Sequence, residues 1–338
     1  MDSRWVLLEA WLPPVLGQAY QSQGWGEVGE GTLQPASADA SFRRYFRWQD
    51  GERSLIVMDA PPQQEDSRPF VQVAELLAEA GVRTPKIFAS DLDQGFLLLE
   101  DMGTSTYLQT IQAGIEEAEL DRMYDAAINS LVRWQAGSRP GVLPEYDEAV
   151  LRRELQLFPD WYVAREKGRE LTSGELADWN ALCGLLLDSI LAENRVFVHR
   201  DYMPRNLMTA PGDPGVLDFQ DALYGPVSYD VTSLFADAFF SLPLARREAW
   251  LETYWQRAWD AGIGVPDAFE TFLDQSRLMG VQRHLKVLGI FARICHRDGK
   301  PHYLADAPRF VTYLHEACER DVRLAPLQRL LDSLELAP

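Results

Sequence analysis

Residues 196–226 read VFVHRDYMPRNLMTAPGDPGVLDFQDALYGP. In this stretch His199-Arg200-Asp201 is followed by Asn206, and Leu217-Asp218-Phe219 lies beyond. The apolar runs Val196–Val198, Leu207-Met208 and Val216-Leu217 read as short buried strands. The pattern is a polar loop between strands, then an aspartate at a strand end. Asp201 is a carboxylate placed to orient and deprotonate a hydroxyl. Asn206 and Asp218 supply hard oxygen atoms suited to Mg²⁺. Phosphoryl transfer asks for an aligned hydroxyl and neutralised phosphate oxygens, so the combination points to phosphotransfer. A lone Leu-Asp-Phe would carry little, since an Asp after a strand often caps a turn. Four polar residues in order, with the strands around them, carry the reading. His199 reads as a buried histidine that orients the loop, without proton chemistry of its own.

The segment resembles the aminoglycoside phosphotransferase and choline kinase branch of protein-kinase-like folds, with HxDxxxxN and (I/L)D(F/W) as signatures. SADASFRRYFRW (37–48), LLLEDMG (97–103), ELQLFPDWY (154–162), HRDYMPRNLM (199–208) and VLDFQDALYGPVSYDVTSL (216–234) are more closely similar to one group within it. That group is the bacterial anomeric kinases of N-acetylmuramate and N-acetylglucosamine. The resemblance runs from about Thr32 to Tyr313. It implies an α+β, two-lobed kinase-like fold with a five-stranded N-lobe and a mainly helical C-lobe. It further implies dependence on ATP and Mg²⁺, and phosphorylation of the C1 hydroxyl of a cell-wall amino sugar during peptidoglycan recycling. In such folds linker backbone holds the adenine, which points to Glu100 and Met102 with Leu99 and Leu97 packing nearby. Asp230 resembles the family's buried aspartate that accepts hydrogen bonds from the catalytic-loop backbone. The motifs specify phosphotransfer; the sugar rests on family-level similarity.

Elsewhere the patterning agrees with two lobes. Residues 3–23 predict an amphipathic helix broken at Pro13-Pro14. Strand signals follow at Thr32–Gln34, Phe42–Trp48, Ser54–Met58, Lys86–Ala89 and Gly95–Leu99, with a turn at Gln49-Asp50-Gly51. Phe70–Ala80 reads as a helix that stops at Gly81. The division expected is a nucleotide lobe over 1–99, a hinge over 100–103 and a catalytic and substrate lobe over 104–338. Helical periodicity marks Leu120–Gln135, Glu148–Glu166, Glu175–Ala192 and Asp267–His296.

Two features depart from the family pattern. The phosphate loop, Ser37-Ala38-Asp39-Ala40-Ser41, has no glycine, though small side chains let backbone N–H groups approach phosphate and Ser37 and Ser41 add hydroxyls. The lysine that clamps the α- and β-phosphates should sit near Met58, and its helix glutamate near Phe70. Their joint absence is self-consistent, since losing one alone would strand a charge. Arg43 or Arg44 can replace the cation, or both can line a solvated strand face. Asp221 either supports the metal segment or caps a turn.

For the acceptor, Arg205 is within reach of a transferring phosphate or simply solvated. Arg283, Lys286, Arg293 and Arg297 share an arc of about 80° on one helix, opposite an apolar face. They form either an anion site for a sugar carboxylate or a solvated face paired with acids. Glu154, Trp161, Tyr162 and His284 are further pocket candidates or core.

Composition bounds the rest. The chain has 338 residues, 46% of them hydrophobic, with ten Trp, which supports about two domain-sized units and a large core. A formal net charge of −19 argues against a nucleic-acid partner. Cys183, Cys295 and Cys318 lack metal-ligand spacing and read as free thiols in a reducing cytoplasm. The apolar run at the start is too short for a signal peptide, and no later segment reads as a membrane span. The partners expected are ATP and a small amino sugar, with the protein a monomer. Alternatives are an aminoglycoside or other small-alcohol kinase, for which an acidic chain suits a cationic acceptor, and a nucleotide-binding pseudokinase.

Overall fold

The computed structural model describes residues 3–37, 42–210, 212 and 214–337. It forms two compact units, Met1–Thr106 with Leu207–Asp221, and Tyr107–Asn206 with Ala222–Pro338. The chain thus passes from the second unit to the first at Asn206-Leu207 and returns at Asp221-Ala222.

The first unit is built on α1 (Ser3–Gln23), strands β1 (Thr32–Ser37), β2 (Arg44–Asp50) and β3 (Arg53–Asp59), α2 (Arg68–Glu79), and strands β4 (Ile87–Asp91) and β5 (Phe96–Glu100). The five strands make one antiparallel sheet in the order β1-β2-β3-β5-β4. The expected break at Pro13-Pro14 does not occur: α1 is continuous through both prolines. Its stripe of Leu8, Leu12, Leu16, Ala19 and Tyr20 is fully packed against Leu55, Val57, Phe96 and Leu98. Burial of that stripe outweighs the hydrogen bonds that two prolines remove.

Pleating assigns each strand residue to a face. On β2, Phe46 and Trp48 pack on the α1 side, so Arg44 shares that side while Tyr45 and Arg47 lie on the other. The hairpin of β7 (Leu207–Met208) and β8 (Gly215–Val216), which follows β6 (Arg195–Val198) in the chain, completes this unit. A Cβ at Gly215 would stand 2.2 Å from Met102 Cε, so a larger residue there would have to displace the end of that methionine.

The second unit is mainly helical: α3 (Tyr107–Gln112), α4 (Glu117–Ala136), α5 (Glu148–Leu155), α6 (Ser173–Leu191), α7 (Tyr229–Phe235), α8 (Leu244–Asp260), α9 (Phe269–Asp298), α10 (Ala307–Arg320) and α11 (Ala325–Ser333). One short ladder pairs β6 (Arg195–Val198) with β9 (Leu223–Pro226). The helix expected over Glu148–Glu166 is two segments, α5 and a π-helical stretch Phe158–Glu166. Pro159 supplies no N–H for the α-helical ladder at that point. α9 crosses this stretch closely because residue 289 is glycine; a Cβ there would lie 2.4 Å from the Leu157 carbonyl carbon. The middle of α9, from Leu278 to Leu288, is buried on every side. That placement sets its polar residues against other protein groups instead of water.

Candidate active site

In the second unit, β6 delivers a loop whose backbone is held from several directions. His199 is 1% exposed, and its Nδ1 accepts the Asp201 backbone N–H at 3.3 Å. The ring stands edge-on to Tyr202, whose hydroxyl donates to the Ala127 carbonyl at 2.8 Å. Asp230, fully buried on the first turn of α7, accepts the His199 N–H at 2.6 Å on one oxygen and the Arg200 N–H at 2.9 Å on the other. Burial pushes its carboxyl up to about 7, against the pull of those two N–H groups and of Arg283. Arg200 sits at φ 77°, a left-handed conformation uncommon for a non-glycine residue. The next residue, Asp201, is half-buried, and Asn206 donates its amide nitrogen to the Asp201 carbonyl at 2.9 Å. With nitrogen facing the loop, the amide oxygen is the atom of Asn206 suited to a cation.

Behind the loop lies a buried charged cluster. Glu154 is 5% exposed; Oε1 meets Arg200 at 2.6 Å and Lys286 at 2.9 Å. Oε2 accepts from Gln282 at 3.2 Å and from the Tyr146 hydroxyl. Burial works to raise the Glu154 carboxyl, but Lys286 and Arg200 outweigh it and bring it down to about 2. Burial opposes the charge of Lys286 as well, and Glu154 more than compensates. Lys286 also donates to the Tyr229 hydroxyl at 2.9 Å. Arg283 donates to the Arg200 carbonyl at 3.2 Å and to Tyr229 at 3.3 Å. Burial disfavours the Arg283 cation, while Tyr229 and Asp201 favour it.

The aligned cations of α9 therefore divide. Arg283 and Lys286 are enclosed in this cluster, Arg293 is half-buried, and Arg297 is exposed and pairs with Asp298 at 2.6 Å. His284 is buried and stacked on Tyr313, and burial with nearby Arg283 and Arg247 lowers it to about 3, so it is neutral at physiological pH. It borders a cavity of about 100 Å³ that Phe235, Leu251 and Tyr313 also line. Arg205 is exposed, with its guanidinium 4.9 Å from the Phe239 ring centre. Trp161 is half-buried and Tyr162 buried in the π-helical stretch.

The first unit carries the remaining candidates. Asp218 follows β8 at φ 61°, and Gln220 Nε2 donates to its Oδ1 at 2.9 Å. Phe219 is fully buried against Phe70, ring centres 4.7 Å apart. Two aromatic rings thus meet at the α2 position where the resemblance leads one to look for a glutamate. Leu97, Leu99 and Met58 are buried together on the sheet face away from α1. The Glu100 N–H is taken by the Lys86 carbonyl at 2.8 Å, and Met102 is buried. Arg47 grips Asp101 at 2.6 Å and the Gly103 carbonyl at 2.9 Å, fixing the segment after β5.

Arg44 and Arg43 separate by face. Arg44 pairs with the fully buried Asp59, which Arg4 of α1 also holds. Arg43 is 7% exposed and pairs with Glu65 at 2.6 Å. Ser37 ends β1, whereas Ala38 to Ser41 lie outside the described residues.

Sequence reasoning passed over Glu193. It is buried in the turn before β6 and takes both the N–H of Ser228, at 3.0 Å, and its hydroxyl, at 2.9 Å. Burial pushes its carboxyl up to about 7. Ser228 precedes α7, so Glu193 ties down the helix that carries Asp230. No spacing in the sequence signals it.

Comparison with known proteins agrees with this layout. The phosphotransferase enzyme family matches residues 32–265. An N-acetylmuramate/N-acetylglucosamine kinase of Pseudomonas aeruginosa is 59% identical over 98% of this chain and 97% of its own. A Neisseria meningitidis protein of the same name is 47% identical over 88% and 89%. Among solved structures, choline kinase LicA from Streptococcus pneumoniae superposes with a TM-score of 0.58 at 15% identity, over 90% of this chain and 98% of that one. An ADP-bound aminoglycoside phosphotransferase gives 0.57 at 14% identity, over 87% and 96%.

Proposed function

The chain belongs to the phosphotransferase enzyme family, and on that premise we propose that it transfers the γ-phosphoryl group of ATP to the anomeric hydroxyl of N-acetylmuramate and N-acetylglucosamine. The two relatives named as kinases of these two sugars, matched over 97% and 89% of their own lengths, support the acceptor. The observation that carries the chemistry is the loop bearing Asp201, with its backbone pinned by His199 and Asp230.

Asp201 is the proposed base. It takes the proton of the C1 hydroxyl as that oxygen bonds to the γ-phosphorus and the bond to the departing ADP oxygen breaks. Holding the carboxylate still before the reaction is the main contribution such a loop makes. Asn206 and Asp218 offer the oxygen donors that fit Mg²⁺, an ion that keeps waters and phosphate oxygens for the rest of its shell. When bound, magnesium would neutralise charge on the phosphates.

For the nucleotide, the backbone of Glu100 and Met102 is the proposed adenine contact, beside Leu99 and Leu97. Ser37 and Ser41 belong to the proposed phosphate loop. Arg43 is preferred to Arg44 as the phosphate cation, because Arg44 lies on the α1 face; to meet a phosphate Arg43 would exchange its Glu65 partner. On the acceptor side, Arg205 is the proposed partner of the lactyl carboxylate, being exposed and adjacent to Asn206. His284 is the proposed neutral contributor to the pocket. The protein is proposed to act as a monomer in the cytoplasm; among the described residues no helix is long and apolar enough to cross a membrane.

The test is ADP release from purified protein supplied with MgATP and a panel of amino sugars, simple sugar alcohols and aminoglycosides. N-acetylmuramate and N-acetylglucosamine should give the highest kcat/KM. Preference for an aminoglycoside would overturn the acceptor while leaving phosphotransfer intact.

A further inference from the structure

A cluster with one buried carboxylate, three cations and two tyrosines is costly to assemble, and a stable core does not require it. Its members are drawn from distant parts of the chain: Tyr146 and Glu154 around α5, Arg200 in the catalytic loop, Tyr229 on α7, and Gln282, Arg283 and Lys286 on α9. Two of them, Glu154 and Arg283, meet Arg200 directly. The Arg200 side chain is taken by Glu154, its N–H by Asp230 and its carbonyl by Arg283. Arg200 is the residue held at φ 77° immediately before Asp201. A left-handed arginine persists only where its surroundings over-determine it, and such positions gather at active sites.

We propose that Glu154 and Lys286 form a buried clamp on Arg200 that sets the backbone turn presenting Asp201, making all three positioning residues for phosphoryl transfer. Glu154 touches no reacting atom; both of its oxygens are occupied by protein donors. Lys286 keeps Glu154 ionised and aimed, and Arg283 closes the other side through the Arg200 carbonyl. On this assignment the buried half of the α9 cationic stripe serves the catalytic loop and leaves the sugar carboxylate to other residues. The inference rests on the kinase reading above for its catalytic consequence, though not for its geometry.

Arg200→Gly is the decisive variant. Glycine accepts a positive φ without strain, and Glu154 keeps Lys286, Tyr146 and Gln282, so the fold is retained. Amide hydrogen exchange should quicken at residues 199–203 by at least about tenfold while the rest of the unit stays protected. Turnover of N-acetylglucosamine should show kcat down about ten- to a hundredfold, as small misplacements of a base cause, with both KM values within about threefold. Arg200→Lys should recover part of the loss. Glu154→Gln combined with Arg200→Gly should be no slower than the worse single variant, because both break one device. Unchanged exchange in Arg200→Gly, or kcat within threefold of the parent, would overturn the clamp. Exchange needs no substrate, so it decides the clamp even where the parent phosphorylates neither sugar, a result that would count against the sugar assignment alone.

Discussion

Replacing Asp230 by Asn removes one oxygen from a site that uses two. In the parent, Oδ2 accepts the His199 N–H at 2.6 Å and Oδ1 the Arg200 N–H at 2.9 Å. Asparagine keeps one acceptor and turns an NH₂ group toward the other N–H. Above the carboxyl's raised value of about 7, where Asp230 is ionised, the loss is one charge-assisted hydrogen bond, about 1.5–3 kcal/mol, and the overlapping penalty of a buried unpaired donor is about 1–3 kcal/mol. Allowing for overlap, about 2–4 kcal/mol is withdrawn from a loop that already carries about 1–3 kcal/mol of strain at Arg200. If that energy holds the loop in its reactive geometry, kcat falls about 30- to 1000-fold at one decade per 1.36 kcal/mol. Steady-state kinetics with saturating MgATP and N-acetylglucosamine would measure the fall, and calorimetry would show MgATP affinity within about threefold of the parent. Thermal unfolding should register a smaller change, since the broken contact is local. A variant with kcat within threefold of the parent would refute the reasoning, because the Asp230 bonds would then be irrelevant to how Asp201 is presented.

Four further outcomes are expected. Asp201→Asn should lower kcat by about 10²–10⁴ and leave ATP binding, followed by calorimetry, nearly unchanged, since shape is kept and basicity lost. Asp218→Ala should weaken Mg²⁺-dependent ATP binding and rate together; equal affinity for MgATP in variant and parent would remove Asp218 from the metal role. Arg205→Ala should reduce kcat/KM for N-acetylmuramate about ten- to a hundredfold more than for N-acetylglucosamine, the difference being one charge-assisted contact to the lactyl carboxylate. Glu193 has a folded-state pKa raised from 4.5 to about 7, so the native state holds its proton longer than the unfolded chain. Its contribution to stability is full below pH 4.5 and fades as pH rises to about 7, and Glu193→Gln should flatten that decline in a pH series of denaturant melts. An identical slope in parent and variant would count against it.

The fold was legible where local patterning and burial agree. Short apolar runs, one of them alternating, marked the five strands, and Gln49-Asp50-Gly51 marked the turn between β2 and β3. α1 departed from expectation because its Leu8–Tyr20 stripe meets a sheet whose contribution no helix-breaking rule includes. The motif put forward Asp201, Asn206 and Asp218 as a proposed set, since order and spacing are one-dimensional properties. The cationic stripe of α9 shows why the rest was hidden. Periodicity aligned Arg283 with Lys286, but whether they face water or Glu154 depends on α5, far away in the sequence. Arg43 and Arg44 were separable in principle: Arg44 has the parity of Phe46 and Trp48, and parity fixes the face. Glu193 left no trace, because its partners are the backbone and hydroxyl of a single distant serine.

On the proposed mechanism ATP phosphorylates the anomeric oxygen of an N-acetylated amino sugar, with Asp201 as base. Phosphorus–proton correlation NMR of the product formed from MgATP and N-acetylglucosamine tests it most directly. One new phosphorus signal should appear, coupled to the C1 proton, formed by the parent and absent on the same timescale with Asp201→Asn. A phosphorus coupled to protons at C3, C4 or C6, or the same yield from Asp201→Asn, would contradict it.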